Sequence, residues 1–230
     1  MATTGKRQKR KFFHTAGEHP ERAHQAQILM MLFAVFLAQA GLPDSAGAMV
    51  IKVSMQAAAL LLIVRLGTLR RGVAIGVATI ALIGVAIALI GWLIGAQPEI
   101  LLVVDLVLVA SAPFAVFRSV TQHRSISMAT VMGAISLFLL IGLFFASVHH
   151  LIHQFDPDAY TVSTGSLEAS TFQYFSFITL TTVGFGDVLA VTNFTRMLVA
   201  MQAVFGQVFL VTVVALVVGN LGRERANTNG

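Results

Sequence analysis

Two segments of the chain, residues 72–98 and 197–222, contain no Asp, Glu, Lys or Arg. Each is longer than the roughly 20 apolar residues that an α-helix needs to cross a bilayer. The overall composition agrees, since 57% of the residues are hydrophobic and 11% are charged, a balance outside that of ordinary soluble domains. The chain is therefore expected to be a membrane protein.

Six apolar segments have the character of membrane spans, and a shorter helical segment, residues 166–181, lies between the last two. The predicted spans are residues 27–41, 49–66, 72–95, 99–117, 128–150 and 194–221. Because the segment 166–181 is too short and too polar to cross, it predicts a re-entrant helix. The expected fold class is an all-α membrane protein with six transmembrane helices and one re-entrant helix.

The charged residues alternate between the two sides that these spans define. The segments predicted to lie inside carry Lys6, Arg7, Lys9, Arg10, Lys11, Arg22, Arg65, Arg70, Arg71, Arg118, Arg124, Arg223 and Arg225. The outer segments carry only Lys52 and Arg196 as basic residues. Excess Lys and Arg mark cytoplasmic loops, so both termini are predicted to be cytoplasmic in a multi-pass protein of the plasma membrane. Topology also explains the net charge of +5, and nucleic acid is not expected as a partner.

Residues 179–187 read Thr-Leu-Thr-Thr-Val-Gly-Phe-Gly-Asp, and they begin at the end of the predicted re-entrant helix and continue beyond it. A polar, Gly-rich stretch between membrane spans is tolerated only where its backbone lines a cavity. The residues Thr182-Val183-Gly184-Phe185-Gly186 resemble the selectivity filter of potassium channels, whose pattern is Thr-Val-Gly-Tyr-Gly. The resemblance covers roughly residues 167–219 and implies a potassium channel subunit. Because the chain carries one such element, several copies are needed around an axis, and the resemblance implies a homotetramer.

By the same resemblance, the filter residues bind K⁺ mainly through their backbone carbonyl groups, with the Thr182 hydroxyl at one end. The K⁺-binding residues are predicted to be Thr182, Val183, Gly184, Phe185 and Gly186. Two of them are glycines, which adopt the required backbone angles at little cost. No cofactor other than the bound K⁺ is expected.

Four residues around the filter are predicted to support it. Tyr174 occupies the position from which family members often hydrogen-bond the acid after the filter, here Asp187, and Thr181 precedes the filter directly. Phe185 replaces the more usual Tyr and has no hydroxyl group, so it is expected to pack against Phe175 through apolar contact.

The last span is predicted to line the cavity below the filter. Gly206 falls at the hinge position of the family, although a glycine also permits close helix packing, and both interpretations stay open. Gln207 is expected to face the cavity, where it hydrates ions or binds blockers, or else to form an interhelical hydrogen bond. A narrow apolar ring stops ions by dewetting, and the residues predicted to form the lining are Leu210, Val211, Val214, Ala215 and Val218.

The first four spans resemble a voltage-sensing unit in number but not in charge. The fourth span has no Arg or Lys at three-residue spacing, so gating by an Arg-rich helix is not expected. It does carry Asp105, which is expected either to pair with Lys52 or to lie in an aqueous crevice. The gating stimulus is not evident from the sequence.

Three histidines, His149, His150 and His153, lie near the outer end of the fifth span. His149 and His153 share a helix face, a spacing that suits zinc binding or proton sensing, although histidines at a wet helix end need no such role.

The predicted organisation has four parts. Residues 1–26 form a basic cytoplasmic tail, either flexible or in contact with anionic lipid. Residues 27–124 form a four-helix peripheral domain, 125–222 the pore domain and 223–230 a short cytoplasmic tail. A weakly selective cation channel and a non-conducting scaffold or regulatory subunit are the alternative functions. An enzyme is not expected, because no nucleophile, metal set or acid–base pair converges.

Overall fold

The computed structural model describes residues 4–43, 45–66, 71–95, 98–121 and 128–228. Side-chain surroundings are described for residues 23–43, 45, 47–66, 71–95, 101–113 and 130–216. The helices are α1 (Thr4–Gly41), α2 (Ala46–Leu66), α3 (Arg71–Leu93), α4 (Pro98–Thr121), α5 (Met128–Phe155), α6 (Ala169–Leu180) and α7 (Asn193–Thr228). Two short strands, β1 (Tyr160–Val162) and β2 (Val188–Ala190), flank α6, and a 3₁₀ turn, Pro157–Ala159, precedes β1.

Five stretches of helix in the described residues are long and apolar enough to cross a membrane. They are Ala23–Gly41, Gly47–Leu66, Arg71–Leu93, Thr130–Phe155 and Asn193–Leu216. In α4 side-chain surroundings are described for residues 101–113 alone, and all of that stretch, Leu101–Pro113, is an apolar helix. The chain is thus a multi-pass membrane protein by length and composition of its helices, while the sixth span stays a prediction.

Helix boundaries differ from the predicted spans mainly at the ends. The helix α1 begins at Thr4, so most of the predicted tail 1–26 is helical and continuous with the first span. The helix α5 continues to Phe155, five residues beyond the predicted end at residue 150. The helix α6 occupies most of the segment 166–181 that the sequence marks as too short to cross.

The four peripheral helices pack around small side chains. The buried face of α3 consists of Val77, Ala81, Gly84, Ala88 and Gly91, spaced so that the face follows the helix. Leu108 of α4 lies so close to Gly84 that a Cβ atom there would stand 3.1 Å from the leucine side chain. Such small residues let membrane helices approach each other closely, and this approach brings α3 against α4.

The first helix reaches beyond the peripheral group and packs against α5 and α6. The Phe36 and Phe177 rings meet edge to face, with centroids 5.0 Å apart. Gln173 Nε2 donates a hydrogen bond to the carbonyl oxygen of Phe36 over 2.9 Å. On the other side of Phe177, a Cβ atom at Gly142 would overlap its ring. The pore helix predicted from the sequence is therefore held between α1 and α5.

A two-stranded ribbon closes the segment between α5 and α7, and the sequence did not predict it. The strands β1 and β2 pair antiparallel, with Tyr160 opposite Ala190 and Val162 opposite Val188. Both the Val191 N–H and the Thr195 hydroxyl donate hydrogen bonds to the carbonyl oxygen of Ala159. The two ends of the segment between β1 and β2 therefore lie side by side. Residues 163–166 form an exposed loop directly after β1.

Candidate functional site

The loop that joins α6 to α7 changes backbone handedness at every second residue. The φ angles are 59° at Thr182, 53° at Gly184 and 79° at Gly186. Glycine adopts such angles freely, but Thr182 is the one non-glycine residue with positive φ in the part of the chain that the structure describes. For a β-branched residue this conformation costs about 1–3 kcal/mol. Alternating handedness turns successive carbonyl groups toward one side, whereas an ordinary strand points them to opposite sides.

The amide groups at the start of this loop point back into the end of α6. Thr181 N donates to Phe177 O over 3.0 Å, and Thr182 N donates to Thr179 O over 2.9 Å. Val183 N and Gly184 N both donate to Ile178 O, over 2.8 and 3.2 Å. These bonds satisfy carbonyl groups that a helix end leaves without partners. They also fix which way the peptide groups of the loop face.

The carbonyl groups of the loop have the opposite environment. In the described residues, no backbone hydrogen bond ends on a carbonyl oxygen of residues 182–186. The side chains are exposed as well, with Val183 55% and Phe185 71% accessible in the single chain. The C-terminal end of α6, which carries the negative end of the helix dipole, lies at the start of the loop. A row of free oxygens in this field is suited to a cation.

Asp187 lies at the end of the loop that is farther from α6 in the chain. Burial and then the neighbouring Asp187 raise the pKa of the Tyr174 phenol, so the two side chains lie near each other. The predicted hydrogen bond between them stays a prediction, because Asp187 Oδ1 has no hydrogen-bond partner within the described residues. Asp187 is nevertheless held through its backbone. Its carbonyl oxygen accepts a bond from Ser163 N over 2.8 Å, which ties the loop to the ribbon. Thr181, also predicted as support, donates its hydroxyl to Phe177 O over 2.7 Å.

The predicted packing of Phe175 on Phe185 is not found within the described chain. Phe185 stacks on Tyr174 instead, with ring centroids 6.4 Å apart and planes 6° from parallel. Phe175 is buried against the His149 and Tyr160 rings, at 5.2 and 5.9 Å. One helical position separates Tyr174 from Phe175, so the two rings face different sides of α6, and the loop lies on the Tyr174 side.

At the inner end of the loop, α7 touches the backbone of α6. A Cβ atom at Gly206 would overlap the carbonyl oxygen of Leu180. Of the two interpretations of this glycine, the geometry supports close packing, while a hinge stays a prediction. The neighbouring Gln207 donates from Nε2 to the Thr182 hydroxyl oxygen over 2.7 Å. This hydrogen bond joins the helix to the loop, an arrangement that neither interpretation of Gln207 anticipated.

Below this contact, the predicted cavity lining of α7 is exposed in the single chain. Leu210, Val211 and Val214 are 37%, 66% and 59% accessible, and Ala215 is exposed as well. The side-chain surroundings of Val218 lie outside the described residues. An apolar face without a partner in its own chain is available to lipid, to a cavity or to another subunit.

Behind α6 lies a chain of buried hydrogen bonds, here called the His149 relay. His149 is bonded at Nδ1 to the Tyr160 hydroxyl and at Nε2 to Gln202 Oε1, both over 2.7 Å. Gln202 Nε2 donates to Ser176 O and to Ser176 Oγ, both over 2.8 Å. Ser176 Oγ donates to Gly142 O over 2.7 Å. The relay therefore links α5, β1, α6 and α7.

All donors in the His149 relay point in the same direction along the chain of hydrogen bonds. Because Gln202 donates from Nε2, its Oε1 accepts, so His149 carries its proton on Nε2 and accepts at Nδ1. The donor at Nδ1 is then the Tyr160 hydroxyl. Burial raises the pKa of the Tyr160 phenol, which keeps that proton in place. A neutral imidazole thus satisfies every partner.

The relay argues against zinc binding at His149 and His153, one of the interpretations that the sequence leaves open, while proton sensing stays untested. His149 is fully buried with both nitrogens engaged, so it has no free nitrogen for an outside metal ion. The His150 and His153 rings pack against Phe172 instead, at 5.6 and 5.3 Å. In the described residues, no group of three or more His, Asp or Glu side chains converges to hold a metal ion.

A second polar group, here called the Asp105 cluster, lies among the peripheral helices. Asp105 Oδ1 accepts hydrogen bonds from Gln56 Nε2 over 2.7 Å and from Gln39 Nε2 over 3.2 Å. Asp105 Oδ2 accepts from the Ser147 hydroxyl over 2.7 Å. Lys52 and Asp105 line one cavity of about 40 Å³. The direct Lys52–Asp105 pair stays a prediction, and three neutral donors already hold the carboxylate.

Comparison with known proteins identifies the same region. Residues 133–222 match the model of a family described as "Ion channel", and they include most of α5, all of α6, the loop and most of α7. Searches of curated proteins and of solved structures found no match. The match points to a channel rather than to an enzyme. Residues 133–222 of this membrane protein are thus similar to an ion channel domain.

Proposed function

We propose that the chain is one subunit of a tetrameric, K⁺-selective channel whose pore is lined by residues 182–186. The observation that carries this proposal is the backbone of that loop, in which handedness alternates at Thr182, Gly184 and Gly186. Its carbonyl groups are free of backbone hydrogen bonds within the described residues. A row of such oxygens replaces the hydration shell of a K⁺ ion without a fixed charge that would trap it.

The exposure of the loop supports assembly around an axis. One chain supplies one row of oxygens, whereas a dehydrated ion needs oxygens on all sides. The α7 face that carries Leu210, Val211 and Val214 is exposed, so it is free to line a shared cavity below the loop. The number four comes from the resemblance of the loop to potassium channel filters.

The proposed topology places both termini in the cytoplasm and the channel in the plasma membrane. The basic residues of the tail support this side by the positive-inside rule, and they suit contact with anionic lipid. The helix α4 carries one basic residue, Arg118, in its 24 residues. This composition supports opening by a stimulus other than an Arg-rich voltage sensor.

Ion flux through purified protein in liposomes tests the proposal. We expect uptake of rubidium, which resembles K⁺ in size, and little uptake of sodium from the same mixture. Equal uptake of both ions would instead support the weakly selective alternative, which the hydroxyl-free Phe185 and its stacking on Tyr174 favour. No uptake of either ion would contradict the channel.

A pair of glycine changes separates the filter from the rest of the fold. Gly184→Ala puts a side chain at φ 53°, and Gly165→Ala puts one at φ 88° in the exposed loop beyond the ribbon, with open space around both positions. Both changes introduce similar backbone strain. We expect Gly184→Ala to abolish selective uptake and Gly165→Ala to preserve it. Equal effects would mean that residues 182–186 do not form the conduction path.

A further inference from the structure

The hydrogen bond between Gln207 and Thr182 joins α7 to the loop of residues 182–186. Gln207 lies in α7, and Thr182 begins the loop 25 residues earlier in the chain. The donor–acceptor distance of 2.7 Å is short for an amide donor. Thr182 is also the one described non-glycine residue with a positive φ angle. A tether thus ends on the most strained residue of the loop.

The reach of Gln207 depends on the glycine beside it. Because Gly206 has no side chain, α7 lies directly against the carbonyl group of Leu180 at the end of α6. This approach puts the next residue of α7 level with the base of the loop. The side chain of Gln207 is exposed, so no other packing fixes its position and its hydrogen bond is what orients it.

The acceptor atom of this bond has a second use in the proposed channel. A threonine hydroxyl oxygen has two lone pairs. In the proposed pore the same oxygen helps to bind the innermost cation. When Gln207 donates a hydrogen bond to this oxygen, one lone pair is occupied, and the oxygen interacts less strongly with the ion. The amide and the cation therefore compete for one atom.

We infer that Gln207 is a positioning residue that holds the Thr182 side chain and weakens the innermost cation site of the pore. This inference rests on the proposed channel function and adds a specific control of that site. Weak binding at the last site favours release of the ion into the cavity. Removal of the amide should therefore strengthen cation binding at the inner end of the loop.

Block by internal barium measures this binding. Ba²⁺ has nearly the radius of K⁺ and twice the charge, so it resides longer in a site sized for K⁺. In planar bilayers with the purified protein, Gln207→Met keeps the length of the side chain and removes the donor. Gln207→Asn keeps the amide but shortens its reach. Losing one hydrogen bond should lower the half-blocking concentration of Ba²⁺ roughly three- to tenfold in both variants.

A second background shows whether the effect passes through the hydroxyl. Thr182→Val removes the acceptor with little change in shape, so Gln207→Met should have no further effect on block in that background. Val208→Met introduces the same side chain at the next position of α7, which is exposed and is not one of the predicted lining residues, and it should leave block unaltered. The oligomer should run at the same size in gel filtration for each variant. If Thr182→Val does not assemble, an equal decrease in the half-blocking concentration of Ba²⁺ in Gln207→Met and Gln207→Asn still supports the inference.

The outcomes separate the inference from the function on which it rests. If the unmodified protein conducts K⁺ but Gln207→Met and Gln207→Asn are blocked like the unmodified protein, the inference is wrong and the channel stands. If Gln207→Asn resembles the unmodified protein while Gln207→Met differs, cavity polarity rather than the tether is responsible, and the inference is again wrong. If the unmodified protein carries no current, the channel proposal fails and takes the inference with it.

Discussion

The His149 relay and the Asp105 cluster satisfy their buried polar atoms in different ways. The His149 relay contains no charge, and every nitrogen and oxygen along it has a partner. The Asp105 cluster is built around a carboxyl group that accepts three hydrogen bonds. Beside it, Gln56 Oε1 and Gln173 Oε1 have no hydrogen-bond partner within the described residues. One group is closed, and the other has unused acceptors.

This difference corresponds to the positions of the two groups. A fully satisfied network permits one arrangement of its donors and acceptors, because any rotation leaves a buried group unpaired. The relay holds α6 and α7 together next to the loop of residues 182–186, and the proposed pore requires a fixed backbone there. The Asp105 cluster borders a cavity of about 40 Å³, which is room for two or three water molecules. The helices around Asp105 can therefore rearrange their hydrogen bonds at lower cost than the helices that the relay joins, α5, α6 and α7.

Gln202→Leu should give the largest effect and tests this contrast directly. It leaves the His149 Nε2–H without an acceptor and removes the amide donor from Ser176 O and Ser176 Oγ, at about 1–3 kcal/mol for each unsatisfied group. We expect a loss of about 3–5 kcal/mol in the free energy of unfolding, together with loss of ion flux. Thermal unfolding in detergent and liposome flux measure the two.

The matched change in the other group is Gln56→Leu. Asp105 keeps Gln39 and Ser147 as donors, and one amide oxygen without a partner disappears. The loss should be about 1 kcal/mol. Equal losses for Gln202→Leu and Gln56→Leu would contradict the distinction between a closed and an open group.

Tyr160→Phe should have the next largest effect, and its size should depend on pH. At neutral pH the change leaves His149 Nδ1 without a donor and should cost about 1–2 kcal/mol. The pKa of Tyr160 is raised by burial, while in the unfolded chain it is about 10. The stability that this proton provides is therefore complete below about pH 10 and is lost as the pH rises toward the raised pKa of the folded state.

Alkaline unfolding curves of both proteins check this sign. Above about pH 10, the advantage of the unmodified protein over Tyr160→Phe should shrink by about 1.4 kcal/mol per pH unit. A constant difference between pH 8 and pH 11 would show that Tyr160 does not keep its proton on folding.

Asp105→Asn should be milder than either change in the relay. The neutral amide loses charge-assisted hydrogen bonds, but burying a charge is itself unfavourable, and Gln56 Oε1 offers an acceptor for the new amide group. A net loss of about 1 kcal/mol with normal selectivity is expected. Combining it with Lys52→Met measures the predicted pair, because a coupling energy above about 1 kcal/mol would establish it and additivity would exclude it.

The smallest effect is expected for Tyr174→Phe, which removes the hydroxyl group that is predicted to hydrogen-bond Asp187. It is the same chemical change as Tyr160→Phe, made at the outer end of the loop rather than in the relay. Folding should be unaffected, whereas currents should decline faster during sustained opening, because the end of the loop is held less firmly. Currents that match those of the unmodified protein would show that the Tyr174–Asp187 contact has no role in the open pore.

The sequence was sufficient to predict the elements of the pore domain but not the contacts that hold them. Charge-free apolar runs and the polar, Gly-rich segment 182–186 are local patterns, so α6, α7 and the loop follow from them. The His149 relay joins residues 11, 53 and 26 positions apart, and Ser176 and Tyr160 have nothing unusual in their neighbourhoods. Gln202, a polar residue in a charge-free span, was the one available signal. Phe175 was misplaced because adjacent positions of a helix face different sides.

The paired strands β1 and β2 have a practical consequence for work on this protein. Their pairing stabilises the segment between α5 and α7. A group attached to the exposed residues 163–166 would lie outside the paired strands and would not disturb them. A short epitope or a fluorophore grafted there would show which face of the bilayer the ribbon occupies, because a label that does not cross membranes reaches it from one side alone.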